Sequence, residues 1–173
     1  MYKTILIDPP WNECGGGKIK RGADRHYKLM KTEDIIKTIK GCPSFKPDSE
    51  GSHLYLWVTN NFLKDGLKVM EELGFRYITN LAWCKPSFGL GQYFRGQHEL
   101  CLFGVMGKLP SQATPRNVPS VIFEKKTKHS QKPMKFYEYI ERTSPAPRLE
   151  MFARQSRNGW DSWGNEVIQY GKL

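Results

Sequence analysis

Ile5-Leu6-Ile7, Leu54 to Val58 and Cys101 to Val105 set apolar residues on consecutive positions, not alternate ones. Successive side chains of a strand point to opposite faces. A strand without alternation therefore needs cover on both sides, which a sheet sandwiched between helices supplies. Strands are predicted over 3–8, 53–58, 75–84, 98–105, the VIFE segment and 148–153. Helical spacing lies between them. Thr32 caps a helix over about 33–40, with Glu33 and Asp34 in its first turn. Thr59 or Asn60 caps another over about 61–73, with Leu63, Leu67, Met70 and Leu73 on one face and Gly74 at its stop. Pro133 opens a third, to about 143. SRNGWDSWGNEV, from Ser156, is expected to be loop and a short turn. The alternation predicts an α/β fold with a mostly parallel sheet, and ligands bind beyond the carboxyl ends of such strands. Asp8 and Arg154 stand at two of those ends.

The 173 residues suffice for one domain with a core of its own, and a single domain over 1–173 is expected. No run of eighteen apolar residues spans a membrane, and no basic stretch precedes an apolar signal region, so the expected location is the cytoplasm. Cys14, Cys42, Cys84 and Cys101 form no C-x-x-C pair, which leaves no zinc spacing and predicts buried thiols and no metal. Twenty-seven Lys+Arg against 17 Asp+Glu give a net charge of +10, spread along the chain and not blocked into a tail. A basic face of that kind points to a polyanion, and nucleic acid is the first to consider.

The strand KTILI runs into DPPW. An ionised carboxylate only accepts hydrogen bonds, and a proline lacks an N–H and has a fixed φ. Asp8 and the Pro9 carbonyl thus form a rigid pair of acceptors, with the Trp11 indole as a flat neighbour. The set suits a planar ring bearing an –NH₂ group. Such an amine is a poor nucleophile because its lone pair is delocalised. Accepting both its hydrogens localises the lone pair, and the acceptors gain most as positive charge builds on nitrogen. The plainer alternative is an Asp-Pro-Pro turn with Trp11 in the core.

On these residues the chain resembles the MT-A70-like family of N6-adenine methyltransferases, whose permuted order sets DPPW first and the cofactor strand late. The likeness extends through HYKLMKTEDI, LWVTNNFL, Trp83 to Gly107, HSQKPMKFYEYIERTSP and LEMFARQSRNGWDSWGNEV. It implies a Rossmann-like fold with helices on both sheet faces and S-adenosylmethionine (AdoMet) as cofactor. It also implies that Asp8, Pro9, Pro10 and Trp11 are the catalytic set. Ile7, Asp8, His129, Lys132, Arg154, Asn165 and Glu166 would hold the cofactor, Lys132 at its carboxylate and Arg154 and Asn165 at its ribose. Tyr27 and Glu99 would stand beside the base. Lys132, His129, Asn165 and Glu99 also admit ordinary loop or structural roles. Where the mRNA-modifying members have Arg-x-His-Asn, this chain has Arg154, Gln155, Ser156 and Arg157, so the resemblance does not carry ribose contacts over to Ser156 and Arg157.

Basic loops at 15–28, 85–95 and 124–132 offer Lys18, Lys20, Arg21, Arg25, Lys85, Arg95, Lys125, Lys126 and Lys128 to phosphates. Phe88, Tyr93 and Phe94 interleave with the second loop and are suited to stacking. A target base must be flipped out or come from a single strand. The bare chain favours DNA over RNA in a bacterial or phage-infected cell, and a homodimer is compatible with it. The rivals are an RNA adenosine methyltransferase, a cytosine-N4 enzyme and a catalytically inactive nucleic-acid-binding subunit.

Overall fold

The computed structural model describes residues 1–12, 29–126 and 131–164. The strands are β1 (Thr4–Ile7), β2 (Gly51–Val58), β3 (Arg76–Cys84), β4 (His98–Gly107), β5 (Val121–Phe123), β6 (Arg148–Met151) and β7 (Asp161–Trp163). The helices are α1 (Thr32–Gly41), α2 (Leu63–Glu72) and α3 (Met134–Thr143). One seven-stranded sheet runs β5-β3-β4-β2-β1-β6-β7. Pairings β1 with β2, β1 with β6, β3 with β5 and β6 with β7 are parallel. Only β4 runs antiparallel to both neighbours. Residues 85–97, between β3 and β4, contain no helix to carry a crossover, so the two strands pair as a long hairpin.

The consecutive apolar residues divide between two cores. Ile5, Ile7, Leu54, Leu56, Val58, Leu149 and Met151 pack with α1 and α2 through Ile35, Ile39, Val69 and Met70. Leu6, Tyr55 and Trp57 face the other way and pack with α3 through Phe136, Tyr137 and Ile140. Both faces are covered, as the lack of alternation requires.

Several local expectations shift. Thr32 is the first helical residue, not the cap; Lys31 takes that position, and the Thr32 hydroxyl donates to Asp65 at 2.8 Å. The 61–73 segment divides into a 3₁₀ turn, Asn60–Phe62, and α2. Its buried face is Gly66, Val69, Met70 and Leu73, while Leu63 and Leu67 are exposed. Gly66 sets that rotation, because a Cβ there would meet Val58 Cγ1 at 2.3 Å, so only glycine lets the helix come so close. The tail contains a strand, β7, in place of the expected turn. Its three residues are too short for periodicity to reveal and are placed by pairing with β6. Cys42 and Cys101 are buried thiols, and Cys84 is half-buried. Among the described residues, no helix is long and apolar enough to cross a membrane, and no three His, Cys, Asp or Glu group to hold a metal.

Candidate active site at the carboxyl ends of the first and sixth strands

From β1 the chain crosses through α1 on one sheet face to β2, and it returns through α3 on the other face to β6. β1 is therefore the point where the winding changes sides, and a crevice opens beyond its carboxyl end. Asp8 sits there. Its N–H closes the ladder on the Met151 carbonyl at 3.4 Å, which sets Asp8 beside the Phe152–Arg154 segment that follows β6.

The DPPW turn is held at each residue. The Trp11 N–H donates to the Pro9 carbonyl at 2.9 Å, and the Met30 N–H to the Pro10 carbonyl at 2.9 Å. A carbonyl has two lone pairs, so Pro9 keeps one beyond its turn bond. Trp11 is only 4% exposed, stacks on Phe62 with centroids 5.4 Å apart and donates Nε1 to the Trp57 carbonyl at 2.9 Å. Its indole ties the turn to the end of β2 and lies within the core formed with α1 and α2.

Lys132, two residues ahead of α3, places Nζ 3.2 Å from Asp8 Oδ2 and 3.2 Å from Glu99 Oε2, over the Trp57 ring. Glu99 Oε1 accepts from Lys85 at 2.5 Å. Asp8, Lys132, Glu99 and Lys85 thus form an alternating chain of charge across the ends of β1, β4 and β3. Burial alone would raise the Glu99 carboxyl, but Lys132 and Lys85 outweigh it and bring it down to about 2. Burial would lower the Lys132 ammonium, and Asp8 and Glu99 overcome that and hold it above its ordinary value.

A second buried acid stands next to this chain. Glu150 of β6 accepts from the Tyr137 hydroxyl at 2.9 Å, and the Arg157 guanidinium lies 3.5 Å from the centre of the Tyr137 ring. Burial raises the Glu150 carboxyl, against the hydrogen bond from Tyr137 and the charge of Arg157. Sequence reasoning passed over this group; the signal was a lone carboxylate within the apolar run Leu149-Glu150-Met151. Near the same ends, Trp57 Nε1, Thr59 Oγ1, Arg157 Nε and Ser162 Oγ are buried without a hydrogen-bond partner.

The structure therefore gathers Asp8, Pro9, Pro10, Lys132 and Glu99, with Ile7 as the last residue of β1 and Arg154 half-buried just past β6. Lys85 is part of the charge chain and not a lone phosphate contact, whereas Arg95 is exposed on the β3–β4 loop. Tyr27, Lys18, Lys20, Arg21, Arg25, Lys128, His129, Asn165 and Glu166 lie outside the described residues.

The model of the MT-A70 family matches residues 2–166. The type II methyltransferase M.MunI of Mycoplasma sp is 28% identical over 187 residues, covering 96% of this chain and 78% of the relative. A probable N(6)-adenosine-methyltransferase MT-A70-like protein of rice (Oryza sativa subsp. japonica) is 28% identical over 96% of this chain, but over 23% of its own length. The human N(6)-adenosine-methyltransferase catalytic subunit METTL3 is 26% identical, again over 96% of this chain and 28% of its own length. The chain thus spans about a quarter of the rice and human relatives and more than three quarters of the Mycoplasma one.

Proposed function

The chain belongs to the MT-A70 family, a family of methyltransferases, and from that premise we propose that it methylates the exocyclic N6 amine of adenine in DNA, using AdoMet. The observation that carries the reading is Asp8 at the end of β1, joined to a Pro9 carbonyl with a lone pair to spare. The adenine amine donates to both. Localising its lone pair turns it into a nucleophile, and the developing positive charge on nitrogen strengthens both hydrogen bonds. Lys132, paired with Asp8, balances that carboxylate so that it serves as an acceptor. The methyl–sulfur bond would break as the N–C bond forms, the sulfur leaving as a neutral thioether, and the nitrogen's surplus proton would pass to Asp8 or to water. Trp11 acts through the turn it holds.

AdoMet brings an electrophilic methyl on a sulfonium, and the residues present suit such a molecule. Asp8 and Glu150 offer negative charge, and the unpartnered Thr59 Oγ1 and Ser162 Oγ offer sites for its polar groups. Ile7 would border it, the third N–H of Lys132 would meet its carboxylate, and Arg154, just past β6, stands on the side of its ribose. The family resemblance would add His129, Asn165 and Glu166 to that set and Tyr27 at the base; all four lie outside the described residues. Aligning the amine with the methyl is the largest part of the enzyme's work.

DNA is the substrate we take forward because a type II methyltransferase matches 96% of this chain at 28% identity, beside relatives named for adenosine at 26–28%. The net charge of +10 suits either nucleic acid. The test is transfer of labelled methyl from AdoMet to DNA and RNA oligonucleotides at matched salt, followed by nucleoside analysis. N6-methyldeoxyadenosine from the wild type and none from Asp8→Ala is the expected result. An active Asp8→Ala enzyme overturns the mechanism, methylation of RNA alone overturns the substrate, and DNA binding without transfer supports an inactive subunit.

A further inference from the structure

The charge chain that starts at Asp8 ends at Lys85, and Lys85 is also a wall of a cleft of about 450 Å³. The cleft lies where β3 and β5 end and the antiparallel β4 begins. Pro86 and Gln97, the two ends of the β3–β4 loop, form part of its rim, with His98, Phe123 and Lys125 around them. Its size is that of a pocket for a small organic ligand. Phe123 closes one side with a ring that is 81% exposed, at the end of an edge strand where nothing among the described residues packs over it.

The charge around the cleft is unbalanced. Lys85, Lys125, Lys126 and Lys132 stand on this side of the sheet against Asp8, Glu99 and the wall residue Glu124, which leaves the cations in excess by one. The effect is felt at Lys126, whose ammonium is lowered first by burial and then by repulsion from Lys85 and Lys132, with Glu99 only partly opposing. An anion entering here relieves that repulsion. The Lys85 ammonium has three N–H groups and gives one to Glu99 in this structure, so it can also meet a phosphate. Cations beside an exposed aromatic face are the means by which proteins hold single-stranded nucleic acid.

We infer that this cleft seats a nucleotide next to the target adenine, with its phosphate held by Lys85 and Lys125 and its base stacked on Phe123. The inference rests on the methyltransferase reading for the identity of the target. Only Lys132 and Glu99 separate Lys85 from Asp8, a span that the nucleotides flanking a flipped base cover.

The test is the double variant Phe123→Ala with Lys125→Ala, both exposed positions, with a melting curve to verify the fold. Binding is measured by fluorescence anisotropy of a short labelled single-stranded oligodeoxynucleotide with one central adenine. Calorimetric titration of deoxyadenosine monophosphate, and separately of AdoMet, provides the comparison. The oligonucleotide is expected to bind about tenfold more weakly, with a salt dependence reduced by about one phosphate contact. Affinities for the mononucleotide and AdoMet stay as in the wild type. Unchanged oligonucleotide affinity overturns the inference, as does an equal loss for the mononucleotide, which would place the effect at the target pocket. A dimer that sediments as such in the wild type, and is lost in the variant with oligonucleotide binding intact, gives the cleft to a second copy and also overturns it. Should the wild type neither bind AdoMet nor transfer methyl while the tenfold loss is still seen, the nucleotide seat stands and the methyltransferase reading falls.

Discussion

Lys132 Nζ lies 3.2 Å from Asp8 Oδ2, with the lysine side chain 13% exposed at the foot of α3. A largely buried lysine thus sits on the carboxylate that ends β1, and it is shared with Glu99. The arrangement makes the carboxylate of the DPPW turn one member of a network rather than an isolated base.

Replacing Lys132 by Met leaves Asp8 and Glu99 facing each other without a cation between them. Breaking a buried pair by removing one partner costs about 3–5 kcal/mol when burial is complete, and about 1–3 kcal/mol is expected for this partly solvated site. Methyl transfer should fall by about two orders of magnitude, because the acceptor loses its partner and its orientation. Lys132→Arg keeps the charge and should recover much of the stability but less of the rate, since a planar fork cannot bridge both carboxylates in the same way. Urea unfolding and single-turnover transfer, measured side by side, test the two halves of this expectation.

Glu99 makes stability depend on acid. Its folded value of about 2 lies below the ordinary 4.5, so the folded state binds this proton less readily than the unfolded chain does. The stabilisation is complete above about pH 4.5 and is lost as pH falls towards 2, with a ceiling on the order of 3 kcal/mol. Lys132 works at the opposite end. Its raised value gives stability that is complete below the ordinary lysine value and fades as pH climbs through the folded one. Urea midpoints across the acid range should show a slope that Glu99→Gln flattens; an unchanged slope would exclude Glu99 as its source.

The path from sequence to site was uneven, for physical reasons. The buried strands and the two-sided sheet were legible because Ile5 to Ile7 and Leu54 to Val58 leave no face for water. The place of Asp8 at the end of β1 was legible because an apolar strand that runs into a carboxylate, two prolines and a tryptophan must stop there. The face of α2 was not, because Leu63 and Leu67 fit the helical period, and the close approach at Gly66 depends on Val58 across the interface. The Lys132–Glu99 and Lys85–Glu99 pairs join residues 33 and 14 positions apart, a relation set by sheet order and not by spacing. Trp11 read as a surface for a flat ring, whereas its indole N–H reaches the Trp57 carbonyl and draws the ring inward.

Gly66→Ala tests the packing of α2 on the sheet. The added Cβ meets Val58 Cγ1 at 2.3 Å and Leu102 Cδ1 at 3.1 Å, so the helix must lift or Val58 must move. Overpacking of this kind costs about 1–3 kcal/mol, more than the helix propensity gained from alanine. Adding Val58→Ala opens the space again. The double variant should therefore be less destabilised than the two single effects added together, a coupling that urea midpoints of all four proteins resolve.

Trp11 offers the sharpest separation of structure from chemistry within the DPPW turn. Trp11→Ala removes a buried indole and should cost about 3–5 kcal/mol. Trp11→Phe keeps an aromatic against Phe62 but leaves the Trp57 carbonyl without its donor, at about 1–3 kcal/mol. If Trp11 acts by bracing the turn, the Phe variant melts earlier. Assayed well below its melting temperature, it should still bind nucleic acid with near wild-type affinity, its deficit lying in kcat as the Asp8–Pro9 acceptor pair loosens. A direct stack of the base on the indole would add to that earlier melting a KM for the oligonucleotide raised about tenfold. Melting curves and steady-state kinetics of this one variant therefore decide whether the indole meets the substrate or only holds the turn that does.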